Sequence, residues 1–182
     1  MHLPDNEADY GDHESDPVEI DDAEELTPEA LVWQLLLLIN PGDEETALRQ
    51  FSHYREALAE ADVDDTPVWV LKDAIDWTAG FYVDWKDNAT FIDAINELVR
   101  RWNLEIDWGG EASEDEFLDN TDIPALMSTA YDRLREYGYT LWTWDTGSDS
   151  YGGWITLATD DEPMRLVAVA LDIELRPGSD SF

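Results

Sequence analysis

The chain has 182 residues, of which 44 are Asp or Glu and 10 are Lys or Arg, a formal net charge of -34 at pH 7. A small domain ordinarily carries a net charge of magnitude about 2–8, so this chain repels itself when compacted and calls for high salt, bound cations or a basic partner. The charge argues against direct contact with nucleic acid or anionic lipid, and the lack of cysteine excludes disulfides, thiolate metal sites and a cysteine nucleophile.

Eleven of the 44 acids fall in residues 1–26, with no base among them. That segment has little apolar content and no periodicity, and it reads as a disordered acidic tail. It also lacks a basic region followed by an apolar stretch, so no secretory leader is expected. The remaining 33 acids face all 10 bases from Thr27 onward, so the charge belongs to the body as well. At 43% hydrophobic with 9 Trp, residues 27–182 can build a core and read as a single α+β domain.

Thr27-Pro28-Glu29 is a helix start, a capping hydroxyl followed by proline at the first helical position. Ala30 to Ile39 is apolar almost all round, which predicts a central buried helix. Its longest apolar run, Leu35 to Ile39, is far short of the ~20 residues that span a membrane. Asn40-Pro41-Gly42 ends this helix. Asp43 caps a second one with an expected stripe of Leu48, Phe51, Tyr54 or Arg55, and Leu58. Thr66-Pro67 then starts a short helix that runs to about Trp77.

Phe81, Val83 and Trp85 alternate with Tyr82 and Asp84, the pattern of a strand. Asp87-Asn88 opens a helix with Phe91, Ile92, Ile95, Leu98, Val99 and Trp102 on one face. Leu104, Ile106 and Trp108 alternate with Glu105 and Asp107 as a second strand. Together these predict a β-α-β unit with a parallel pair. Gly109 to Thr121 is an acidic loop. A helix striped by Leu126, Met127, Ala130, Tyr131 and Leu134 follows, stopped by Gly138. Tyr139 to Asp145 and Trp154 to Ala158 form a hairpin around Thr146 to Gly152, a last helix runs from Asp160-Asp161 to Leu171, and Ile173 to Arg176 is a short final strand. GFYVDWKDNATFIDAINELVRRWNLEIDWG and GWITLATDDEPMRLVAVALDIELRPG share the order strand, acidic helix start, helix, strand, as a duplicated β-α-β unit would. The expected architecture is α+β, N-terminal helices packed on a mixed four- to five-stranded sheet.

Asp145-Thr146-Gly147 resembles the active-site turn of aspartic proteases, in which two aspartates share a proton. It occurs once here, and Asp and Gly ordinarily make a hairpin turn. The EF-hand spacing fails across the same loop, since position 147 is Gly and position 150 is Ser. Of the three histidines, His2 and His13 lie in the tail and His53 has no Glu-x-x-His set, so no catalytic residue, metal ligand or cofactor is assigned. Trp142 and Trp144 share one strand face and read as core or as an exposed patch. Trp108, beside Gly109-Gly110, is the expected exposed anchor.

The expected binding surface is Trp108 with Glu111, Glu114, Asp115, Glu116, Asp119 and Asp122, joined by Asp145 and Asp149. Carboxylates spaced like phosphates would engage a basic protein. Two alternatives remain: salt adaptation, suited by 26 Asp and only two Lys, and a metal-binding protein or hydrolase built from scattered carboxylates.

TAGFYVDWKD, WNLEIDWGG, AYDRLREYGYTLWTWDTG and ALDIELRPG resemble segments of an uncharacterised family of acidic bacterial proteins, a domain of unknown function. That resemblance implies a bacterial cytosolic protein and supplies no activity or site residues. The charge alone is similar to that of DNA-mimic inhibitors and nuclease-blocking immunity proteins.

Overall fold

A computed structural model describes residues 27–182. The acidic segment 1–26 lies outside the described residues. In chain order come α1 (Pro28–Ile39), α2 (Glu44–Glu60), α3 (Pro67–Ile75), β1 (Gly80–Asp84), α4 (Asn88–Arg100), α5 (Asp115–Asp119), α6 (Ile123–Glu136), β2 (Tyr139–Trp144), β3 (Ser150–Leu157), α7 (Asp161–Ala170) and β4 (Leu175–Pro177).

The strands form one four-stranded sheet in the order β1-β3-β2-β4, and every neighbouring pair is antiparallel. The fold is α+β as expected, but the sheet is not mixed. Leu104 to Trp108 is no strand. After α4 the chain turns through Asn103 at φ 61, then runs extended while Ile106 and Trp108 drop into the core without a ladder partner. Alternation reports one-sided burial, which an extended segment satisfies as well as a strand does. The duplicated unit is absent for the same reason. Only the second segment returns to the sheet, as β3-α7-β4, with β3 and β4 parallel on either side of β2.

Strand pleating splits the side chains between two cores. Tyr82, Trp142, Trp144 and Trp154 face a layer of α1, α2, α3 and α7, whereas Phe81, Val83, Leu141 and Ile155 face α4 and α6. Both sheet faces are therefore covered, and Trp142 and Trp144 are core residues. As its composition predicts, α1 is central: Leu31, Val32, Leu35, Leu36 and Ile39 are buried between the sheet, α2 and α7. Truncating one of these leucines to Ala should cost about 2–5 kcal/mol.

The stripe of α2 differs from expectation. Ala47, Gln50 and Tyr54 are buried, whereas Leu48 is 56% exposed. The phase is set by a polar chain that runs from the core to the surface: buried Asn40 donates to the Leu36 carbonyl and to Oε1 of buried Gln50, each at 2.8 Å, and Gln50 Nε2 donates to Oγ1 of exposed Thr78 at 2.9 Å. A hydrophobic pattern cannot show that a glutamine is the inward residue.

Candidate functional site

Several chain segments converge where β1 and β2 end and β3 and β4 begin, because Asp84 pairs with Ser150 and Trp144 with Leu175. At this hairpin end lie the β2–β3 turn (145–149), the Trp85–Asp87 turn, and the α7–β4 connection (171–174).

The β2–β3 turn is built by its own side chains. Asp145 Oδ1 accepts from Gly147 N at 2.8 Å, Thr146 Oγ1 donates to the Ser150 carbonyl at 2.7 Å, and Gly147 sits at φ 68. Asp145-Thr146-Gly147 is thus a hairpin turn with a single aspartate. β1 stops at Asp84, whose carboxylate accepts from Trp85 N and whose carbonyl accepts from Asp87 N, both at 2.9 Å. Trp85, expected in the strand, leaves the ladder and stands 50% exposed with Lys86 Nζ 5.7 Å from its ring. The signal for this turn was the polar run Lys86-Asp87-Asn88 after Asp84.

Trp144 separates two clefts. One, of ≈ 350 Å³, is lined by Trp85, Trp144, Asp145, Asp149, Tyr151 and Phe182. The other, of ≈ 580 Å³, is lined by Val68, Trp69, Trp144, Asp145, Asp172 and Glu174, among others. Asp145 N donates to the Glu174 carbonyl at 3.0 Å, which fixes the two acids beside each other. Trp144 meets Trp69 edge-to-face at 5.2 Å, and Tyr82 lies 6.0 Å from Trp144. Trp69, Trp85, Asp172 and Glu174 were not singled out from the sequence.

The expected acidic surface is partly assembled here. Asp122 caps α6 by accepting from Ala125 N at 2.9 Å, and it reaches the hairpin electrostatically. Burial pushes the Tyr151 hydroxyl above its ordinary 10.0, and Asp122 and Asp149 push it further in the same direction. Asn88 donates to the Leu118 and Thr121 carbonyls at 2.9 and 3.0 Å, docking the end of the acidic loop on the start of α4. The loop is not irregular throughout, since Asp115–Asp119 is a helical turn whose Phe117 packs on the backbone of Gly110. Glu111, Glu114, Asp115, Glu116 and Asp119 are all exposed on it.

Trp108 is not an exposed anchor. It is 9% exposed, meets Phe91 at 6.2 Å and donates from Nε1 to Asn96 Oδ1 at 3.1 Å. Flanking glycines and acids said nothing of the aromatic pocket that receives it. Among the described residues no three His, Asp or Glu side chains converge closely enough to hold a metal ion.

No described helix is long and apolar enough to cross a membrane. The family model for a domain of unknown function, DUF6630, matches residues 31–178, and the chain belongs to that family. No curated protein and no solved structure matches the chain.

Proposed function

We propose that this member of the DUF6630 family is a binding module without catalysis, whose hairpin end captures a basic surface on another protein. Nucleases, toxins and DNA-binding proteins present such surfaces. An inhibitor of this kind would occupy the site where its partner takes phosphates, contacting neither nucleic acid nor membrane itself and using no cofactor. A cysteine-free chain suits a cytoplasmic setting for this role.

One observation carries the reading: among the described residues, none of the chain's own cations forms an ion pair with the acids of the hairpin end. Nine of the ten basic side chains lie in an ion pair or against an aromatic ring, and Arg49 donates to Thr46 Oγ1. Their ion-pair partners are Glu29, Asp73, Glu97, Glu136 and Asp161, none of them at the hairpin end. The acids of that end are left to steer an external cation, and such steering is screened beyond about 8–10 Å at ordinary ionic strength. Trp85 and the clefts beside Trp144 add contact area that survives salt.

The test is parallel capture from source lysate on the immobilised protein and on Asp145→Asn/Asp149→Asn, with elution by a salt gradient. The reading expects one basic protein held by the native chain and released at lower salt from the variant. Identical retention on both, or a smear of ribosomal proteins, would favour salt adaptation.

A further inference from the structure

An apolar groove lies on the outer side of the helical layer, away from the hairpin end. Glu29 on α1 meets Arg55 on α2 at 3.4 Å. Trp33, one turn further along α1, meets Phe51, one turn back along α2, at 5.5 Å. The two helices therefore run antiparallel. Between them is a groove of ≈ 270 Å³ lined by Glu29, Ala30, Trp33, Leu48 and Phe51. Trp33 and Phe51 are half-buried, and Leu48 on the lip is 56% exposed. The Asn40–Gln50 hydrogen bond sets the phase of α2 and so holds Leu48 outward. Covering this apolar surface would be favourable.

The chain itself supplies the nearest cover. The segment outside the described residues ends at Thr27, whose Oγ1 accepts from the N–H of Ala30, a residue of the groove lining. Reading back from Thr27, the first pair of large apolar residues spaced two apart is Ile20 and Val18, preceded by Pro17. Residues two apart share one side of an extended segment, and proline favours such a start. The seven residues from Ile20 to Thr27 can span up to about 23–25 Å, whereas Glu29 to Trp33 rises only ~6 Å along α1. Asp21, Asp22, Glu24 and Glu25 fall between Ile20 and Thr27, and the Arg55 side chain, 62% exposed, stands at that end of the groove. A tethered segment is present at an effective concentration on the order of mM. A second copy would instead have to approach against the repulsion of two bodies of net charge -34.

We propose that residues 17–20 of this chain occupy the groove, with Val18 and Ile20 seated between Trp33 and Leu48 and the acids that follow passing Arg55 on the way to Thr27. The acidic segment is then a strap that closes the apolar face of α1 and α2. This inference is independent of the basic-partner reading above.

The test uses the full chain with ¹⁵N-labelled indoles and ¹³C-labelled Val, Leu and Ile methyls. Cross-relaxation is expected from the Val18 and Ile20 methyls to the Trp33 indole and the Leu48 methyls, independent of protein concentration. Val18→Ser/Ile20→Ser should move the Trp33 indole N–H signal and leave those of Trp77 and Trp102 in place. A glutamate-specific protease should cut after Glu19 several-fold faster in Leu48→Asp than in the native chain, because cleavage follows the population with the segment released. Val63→Asp, at a fully exposed residue outside the groove lining, should leave that rate alone. No cross-relaxation to Trp33, or equal cleavage of the native and Leu48→Asp chains, overturns the assignment. Cross-relaxation between differently labelled copies in a mixed sample, growing with concentration, also overturns it and gives the groove to a second copy.

Discussion

The indole of Trp144 lies against the backbone of Gly152, its cross-strand partner on β3, so closely that a Cβ on Gly152 would come within 2.7 Å of Trp144 Cε2. The absence of that one side chain lets Trp144 lie flat on the sheet and form the wall shared by both clefts. Gly152→Ala should cost about 1–3 kcal/mol through overpacking and move the Trp144 indole, read by chemical denaturation and near-ultraviolet circular dichroism. Gly153→Ala should be worse, because its Cβ would meet the Trp142 carbonyl oxygen, backbone that cannot swing aside, at 2.0 Å.

The chain of Asn40, Gln50 and Thr78 holds α2 in phase with α1 and with the entry to β1. Gln50→Ala removes the acceptor of a buried Asn40 donor. The expected loss is about 1–3 kcal/mol, the cost of an unsatisfied buried polar group, measured by urea unfolding. Thr78→Ala should cost less, because Thr78 is exposed and water can replace it.

Tyr151 reports whether the acidic loop and the hairpin meet in solution. Its hydroxyl titrates above the ordinary 10.0, through burial first and then through Asp122 and Asp149. The folded chain therefore holds this proton where the unfolded chain has released it, so Tyr151 makes stability fall as pH rises past 10.0. Asp149→Asn should lower the Tyr151 titration midpoint in a spectrophotometric pH titration without altering the fold. Asp122→Asn should lower it too, with Asn still able to cap α6.

Asp43 caps α2 by accepting from Thr46 Oγ1 at 2.7 Å and Thr46 N at 3.1 Å. The hydroxyl bond first and the backbone bond second hold its carboxyl below the ordinary 3.8. Its contribution is present above the unfolded value and is lost as pH falls through the lower folded one. Asp43→Ala should cost about 1 kcal/mol at neutral pH and less once the carboxyl is protonated, when a neutral cap remains, as thermal melts at pH 7 and pH 2 would show.

Salt should raise the melting temperature by screening carboxylate repulsion. Calcium or magnesium chloride at matched ionic strength should add nothing further, because no described group of acids converges on a cation. A protein that unfolds when salt is withdrawn would instead point to salt adaptation.

Much of the helical layer was legible in the sequence, because proline starts, Asp caps and apolar stripes are local signals. Thr27-Pro28, Asp43 and Asp87 each begin a helix in the structure. The sheet was less legible. Leu104 to Trp108 carries a strand's alternation, yet β1 pairs with β3 some seventy residues away, and pairing is a tertiary choice that alternation does not encode. The candidate site divides the same way. Asp145 and Asp149 are found where the turn signal placed them, whereas Asp172 and Glu174 reach the cleft only because α7 crosses back over the sheet. Trp85 and Trp108 exchanged the expected roles, since a local turn exposes the first and a remote pocket of Phe91 and Asn96 buries the second.

The most direct test is an indole ¹H–¹⁵N spectrum of the protein with and without the basic protein retained in the capture experiment, since the nine tryptophans report on different faces. The account predicts shifts at Trp85 at the hairpin end and at Trp69 and Trp144 in the cleft walls, with Trp33 on α1, Trp77 after α3 and Trp102 after α4 unmoved. Shifts led by Trp33, Trp77 or Trp102 would contradict it, as would a spectrum that does not change.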